Sequence, residues 1–161
     1  FRHHKRKRPT YIGFEGNHEN RIKKAIKHDP RLQGSKYGIS FGHLQTDRWF
    51  DEYHEYEHSA PAIADYDGIS YSHYFSSGNF GSAMSGMHHA NGLLAHRHHS
   101  STCGHSHKRD LKFKDSSHPR GVIGLVAGCY KGAAEGWAGQ ANVWASVVTL
   151  REYQGTTTQH H

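Results

Sequence analysis

The chain has 161 residues, a formal charge of +6 with its 18 histidines neutral, and a mean hydropathy of −0.87. That length fits one domain and suffices to bury a core, while no apolar run approaches the roughly 20 residues of a membrane span. Two cysteines, Cys103 and Cys129, exclude a disulfide framework and read as buried thiols in a reducing compartment.

The opening, Phe1-Arg2-His3-His4-Lys5-Arg6-Lys7-Arg8-Pro9, is a basic lead-in. Thr10 to Glu15 reads as a strand that runs into Gly16-Asn17-His18-Glu19. Asn20 to His28 reads as a helix, because Ile22, Ala25 and Ile26 recur at helical spacing with Arg and Lys opposite. Asp29-Pro30 stops it. The cations of Arg21 to Lys27 favour phosphate-bearing partners by long-range attraction, and they also suit a plain solvated helix face. Leu32 to Ala64 is irregular. Its aromatic, acidic string from Asp51 to His58 is compatible with helix, strand or covering loop, and it sets His54 and His58 at helical spacing with nothing else to support a site.

Ile69 to Phe75 alternates, so Ile69, Tyr71, His73 and Phe75 share one face of a predicted strand, with His73 near its C-terminal end. Ser76 to Gly86 is Gly- and Ser-rich and reads as a loop. Met87 to His98 is helical by pattern, with Met87, Ala90, Leu93 and Leu94 apolar and Gly92 against it. Its histidines, His88, His89, His96, His98 and His99, read as solvated rather than as a metal cluster. Ser100 to Cys103 suits a short strand leading into Gly104-His105-Ser106-His107. Val122 to Tyr130 is continuously apolar, as a strand covered on both faces should be. Gly132 to Gln140 reads as a loop, Val143 to Tyr153 as a strand and Gly155 to His161 as a tail.

Two strings carry the chemistry. Each places metal-competent side chains just behind a glycine, a residue that lets the chain turn sharply at a strand end. If Gly104-His105-Ser106-His107 is extended, His105 and His107 point to one side and Ser106 faces away. Asn17 and His18, adjacent at a turn, diverge. Each residue also has a plainer use: Asn17 as a helix cap, and His73 as a hydrogen-bonded core histidine beside Tyr71 and Tyr74.

In this order, with His73 of Ser72-His73-Tyr74 between them, the strings resemble the last three blocks of the calcineurin-like metallophosphoesterases, closest to the phage-type members. The resemblance spans about Thr10 to Tyr153. It implies an α/β fold, a partial β-sandwich flanked by helices, over residues 10–154, with 1–9 as lead-in and 155–161 as tail. It implies a metal-dependent phosphoesterase that hydrolyses phosphomonoesters or phosphodiesters with a hydroxide bridging two divalent ions, Mn, Fe or Zn. Asn17, His73 and His105 would hold the second metal and His107 the first, while His18 would serve as general acid. Tyr74, Asn79 and Arg97 would line the substrate cleft.

The family's D-x-H and G-D-x-x-D blocks have no counterpart among Phe1 to Glu15. The resemblance therefore implies a C-terminal portion whose metal centre is incomplete by itself and inactive as an isolated fragment. The expected partner is a phosphoester, with nucleotides or nucleic acid favoured by the basic opening. The expected place is the cytoplasm of a bacterium or a phage-infected host. The alternative is a non-catalytic metal- or nucleic-acid-binding remnant of the same fold in a larger assembly.

Overall fold

A computed structural model describes residues 9–34, 36–78, 81–115 and 121–128, together with the backbone of 153–154 and 157–158. The basic lead-in, Asn79, Cys129, the loop expected over 132–140 and most of the last predicted strand lie outside these residues. The chain is α/β and divides into two compact units, Phe1–Ala62 and Ile63–His161.

In the first unit, strand β1 (Ile12–Phe14) leads into helix α1 (Asn20–His28) as the sequence predicts. Strand β2 (Glu52–His54), inside the ambiguous acidic string, pairs parallel with β1, so that Gly13 faces Tyr53 in register. Only glycine fits at position 13, because an added Cβ would stand 2.6 Å from the Tyr53 ring and 2.8 Å from that of Phe50. The short helix α2 (Thr46–Trp49) precedes β2. His54 lies in β2 and His58 in a positive-φ turn, so their helical spacing forms no pair.

The second unit is built on a five-stranded mixed sheet. β3 (Ala64–Tyr66), β4 (Ile69–Ser72), β7 (Ser101–Cys103), β9 (Val122–Val126) and β8 (Asp110–Lys114) lie side by side in that order. The inner three, β4, β7 and β9, run parallel, and the two edge strands run antiparallel to them. β9 is buried along most of its length, as its apolar run requires. Between β4 and β7 the chain forms the pair β5 (Ser76–Ser77) and β6 (Ser82–Ala83), then helix α3 (His89–Arg97).

α3 and the sheet meet around Phe75, Met84, Ala90, Leu93, Cys103 and Val126. The approach is close: a Cβ at Gly124 would stand 2.7 Å from the Ala90 carbonyl and 3.0 Å from Leu94. Arg97 lies over the Phe75 ring at 4.7 Å, so its cation is spent on packing rather than on an open cleft.

Four sequence expectations change. The strand predicted to reach Phe75 ends at Ser72, where His73 bends away. The Gly/Ser-rich loop contains the β5–β6 pair, because small polar residues can pair locally without an apolar face. Met87 stays outside α3 and is 83% exposed. The expected tail, Gly155 to His161, contains β11 (Thr157–Thr158), which pairs antiparallel with β10 (Tyr153–Gln154) at the end of the last predicted strand, consistent with β-branched threonines beside a glycine.

Candidate metal centre

The three parallel strands end level. Ser72, Cys103 and Val126 are register partners across β4, β7 and β9. The chain leaves each strand on the same rim, which is where open α/β sheets place ligand-binding residues. His73 leaves β4 and the Gly104–His107 string leaves β7. The Gly104 N–H donates to the His73 carbonyl at 3.1 Å, which ties the two exits together.

The side chains follow. His73 Nε2 and His105 Nδ1 are 3.1 Å apart, with the rings edge to face at 5.0 Å. The Tyr74 ring packs against both histidines, 5.9 Å from His73 and 5.1 Å from His105. Two nitrogens bound to one ion at about 2.0–2.1 Å stand about 2.8–3.0 Å apart in octahedral and about 3.3–3.4 Å apart in tetrahedral geometry. The pair thus fits two positions of a single divalent ion. Without metal one imidazole donates to the other. To share an ion the donor ring would carry its proton on its other nitrogen and both rings would tilt so that their lone pairs converge, with no net proton released from two neutral imidazoles.

The Gly104–His107 string is not extended, which corrects the alternation argument. His105 has φ 66° and His107 has φ 58°. The Ser106 N–H donates back to the Gly104 carbonyl at 2.8 Å. That is a γ-turn with a positive-φ central residue, the rarer and more strained form. A strained residue of this kind persists only where its surroundings over-determine it. The glycine is not what makes the turn: Gly104 lacks a positive φ, and a Cβ there would only touch the His73 carbonyl at 3.9 Å. Ser106, expected to face away, directs its hydroxyl at His89 instead, 3.4 Å from Nδ1.

His89 is the residue the sequence reading misplaced. Counted among solvated histidines, it is 2% exposed at the start of α3. Burial holds its imidazole below the usual range; the Asp110 carboxylate works against that shift and His105 adds to it. The signal that finds it is position. His89 lies four residues before Leu93, on the face that packs on the sheet at the start of α3. His88 stands outside the helix as its N-cap, and His96, on the same stripe as His89, is exposed near the far end. Cys103 is buried as expected, and burial pushes its thiol up to about 12.

In the first unit, Gly16 to Glu19 forms a turn that runs directly into α1. The Gly16 N–H donates to Glu19 Oε2 at 3.0 Å and the Asn20 N–H to the Gly16 carbonyl at 3.1 Å. Glu19, rather than Asn17, occupies the helix N-cap position. His18 is exposed and Asn17 partly exposed. Behind the turn lies Glu15, fully buried. Its Oε2 accepts from Lys23 Nζ at 2.8 Å and from the Tyr56 N–H, while its Oε1 is buried with no partner. Lys23 also donates to Glu55 at 2.6 Å and lies 4.2 Å over the Phe41 ring. Burial disfavours the Lys23 ammonium, but hydrogen bonds to Glu15 and Glu55 outweigh it and hold its pKa above the usual value. Burial, then the charges of Glu19, Glu15 and Glu55, push the Tyr53 phenol up to about 12.

The second unit therefore brings His73 and His105 together, with His107 two residues further along the same turn. Asn17 and His18 belong to the first unit. Among the described residues no group of three or more His, Cys, Asp or Glu side chains converges in a metal-holding arrangement. Nor, among them, is any helix long and apolar enough to cross a membrane. Compared with family models, curated proteins and solved structures, the chain gives no match.

Proposed function

We propose that the chain works in a metal-dependent phosphoesterase of the calcineurin-like type, with the β-sandwich of that fold. The observation that carries this reading is the His73–His105 pair, 3.1 Å between nitrogens, at the C-terminal rim of three parallel strands. When bound, two divalent ions would supply Lewis acidity toward the phosphoryl oxygens and make a water more acidic. His73 and His105 would hold one of them through neutral imidazole nitrogens, with Asn17 as the further ligand that the resemblance assigns. His107 would serve the other.

His18, exposed at its turn, gives a proton to the departing oxygen. The exposed cations of α1, Arg21, Lys24 and Lys27, favour a nucleotide or nucleic-acid ester over a neutral-bodied one.

The test is hydrolysis of bis(4-nitrophenyl) phosphate with Mn²⁺ by the protein at its natural length. His18→Ala lowers turnover by about 10²–10⁴-fold and leaves metal content intact, as loss of a general acid should. His105→Ala lowers both. Equal metal loss in the two variants removes His18 from its assigned role. Stoichiometric metal uptake with no turnover on any phosphoester favours instead the non-catalytic binding remnant.

A further inference from the structure

A histidine outside the proposed donor set grips the same turn. His89 opens α3, and its ring lies between the Ser106 hydroxyl, 3.4 Å from Nδ1, and the Cys103 sulfur, 4.0 Å from Nε2. The helix end that carries it is pinned, because Asp110 Oδ2 accepts the Ala90 N–H at 2.8 Å and the Ala90 carbonyl rests against Gly124. Ser106 is the residue whose N–H closes the γ-turn on Gly104. Its side chain is thus held by α3 while its backbone sets the direction of His105.

Two other readings of this cluster fail on geometry. A Ser–His–Asp relay needs Asp110 on one ring nitrogen of His89, yet those nitrogens face Ser106 and Cys103, and Asp110 is engaged by Ala90. A Cys103 nucleophile needs an accessible thiolate, and this thiol is buried and held protonated.

We infer that His89 is a positioning residue for the metal-holding turn: through Ser106 it holds the strained Gly104–His107 backbone so that His105 meets His73. The inference rests on the reading of His105 as a metal ligand. The partner that orients a ligand-bearing turn is worth about 10–100-fold in metal affinity.

The experiment is a Co²⁺ titration of the natural-length protein, followed by visible absorption, with far-UV dichroism to confirm that each variant is folded. His89→Ala and Ser106→Ala should each weaken Co²⁺ binding by about 10–100-fold and alter the absorption bands. The double variant should bind no more weakly than the worse single one, since both remove one link. His89→Asn, whose amide can still reach Ser106, should recover most of the affinity. If His89→Ala does not fold, Ser106→Ala carries the test, because Ser106 is only partly buried and its loss breaks the same link. Wild-type affinity and spectrum in the folded variants overturn the role of His89 while leaving the metal reading intact. Losses that multiply in the double variant also overturn it. A wild-type protein that takes up no Co²⁺ overturns the metal reading and the role of His89 with it.

Discussion

The two glycine-led turns look alike in sequence and are built in opposite ways. The turn at Gly16 to Glu19 has unstrained backbone and charged supports: Glu19 on Gly16, then Glu15, Lys23 and Glu55 behind it. The turn at Gly104 to His107 has strained backbone, with positive φ at both histidines. Its contacts include the His89 ring, through the Ser106 hydroxyl, and the His73 carbonyl, with the Asp110 carboxylate one step behind on the Ala90 N–H. One site is held by electrostatics and the other by shape. Charge fixes a turn while leaving its outer residues open to solvent. Strain fixes a side-chain direction to within a narrow range, as metal ligation demands.

The largest expected effect breaks the first turn. Glu15→Ala removes the fully buried carboxylate that two donors share, and leaves the Tyr56 N–H without that acceptor. The cost should be about 1–3 kcal/mol, the penalty of a buried N–H left without its acceptor, because Lys23 is partly exposed and keeps Glu55. Faster amide exchange in β1 and β2 than in the β4–β7–β9 core would report it. A uniform loss throughout the chain would contradict the local role.

A smaller effect separates strain from charge. His105→Gly should stabilise the metal-free protein by about 1 kcal/mol by relieving a positive φ, while metal uptake falls. Asn17→Gly, at a position without positive φ, should destabilise by up to about 1 kcal/mol. Urea denaturation of both variants decides; the same sign in both would erase the distinction drawn here.

The smallest effect is a dependence on pH. The folded pKa of His89 is depressed by burial, so the unfolded chain binds its proton more readily. The stability this residue contributes is therefore full above the ordinary histidine pKa, about 6.5, and is lost as pH falls through the lower folded value. Replacing His89 with Gln should flatten the stability profile over that acidic window, measured by denaturation at successive pH values.

Much of this organisation was legible in the sequence. Apolar spacing and the Asp29-Pro30 stop gave α1 its bounds, and the unbroken apolar run of β9 revealed a strand covered on both faces. His73 and His105, each placed just past a strand by the sequence, lie 3.1 Å apart between ring nitrogens on the rim of the sheet. What stayed hidden depends on non-local contact. β2 is a strand only because β1 lies beside it, and β8 is exposed along its length with its pairing all to β9. The positive φ of His105 cannot be read from a string whose glycine suggests that the glycine makes the bend. His89 could be found only by weighing it with the apolar Ala90 and Leu93 instead of with the other histidines.

The level ending of β4, β7 and β9 also determines which changes of length this chain can absorb. Residues added to loops on the far side of the sheet leave the register of Ser72, Cys103 and Val126 untouched, and such loops accept insertions cheaply. One residue inserted within β7 is different in kind. It would reverse which face each later side chain takes and carry the histidine string half a pleat out of step with His73. Natural or engineered variants of this scaffold should accordingly vary in loop length and hold the spacing from Ser101 to His107 fixed.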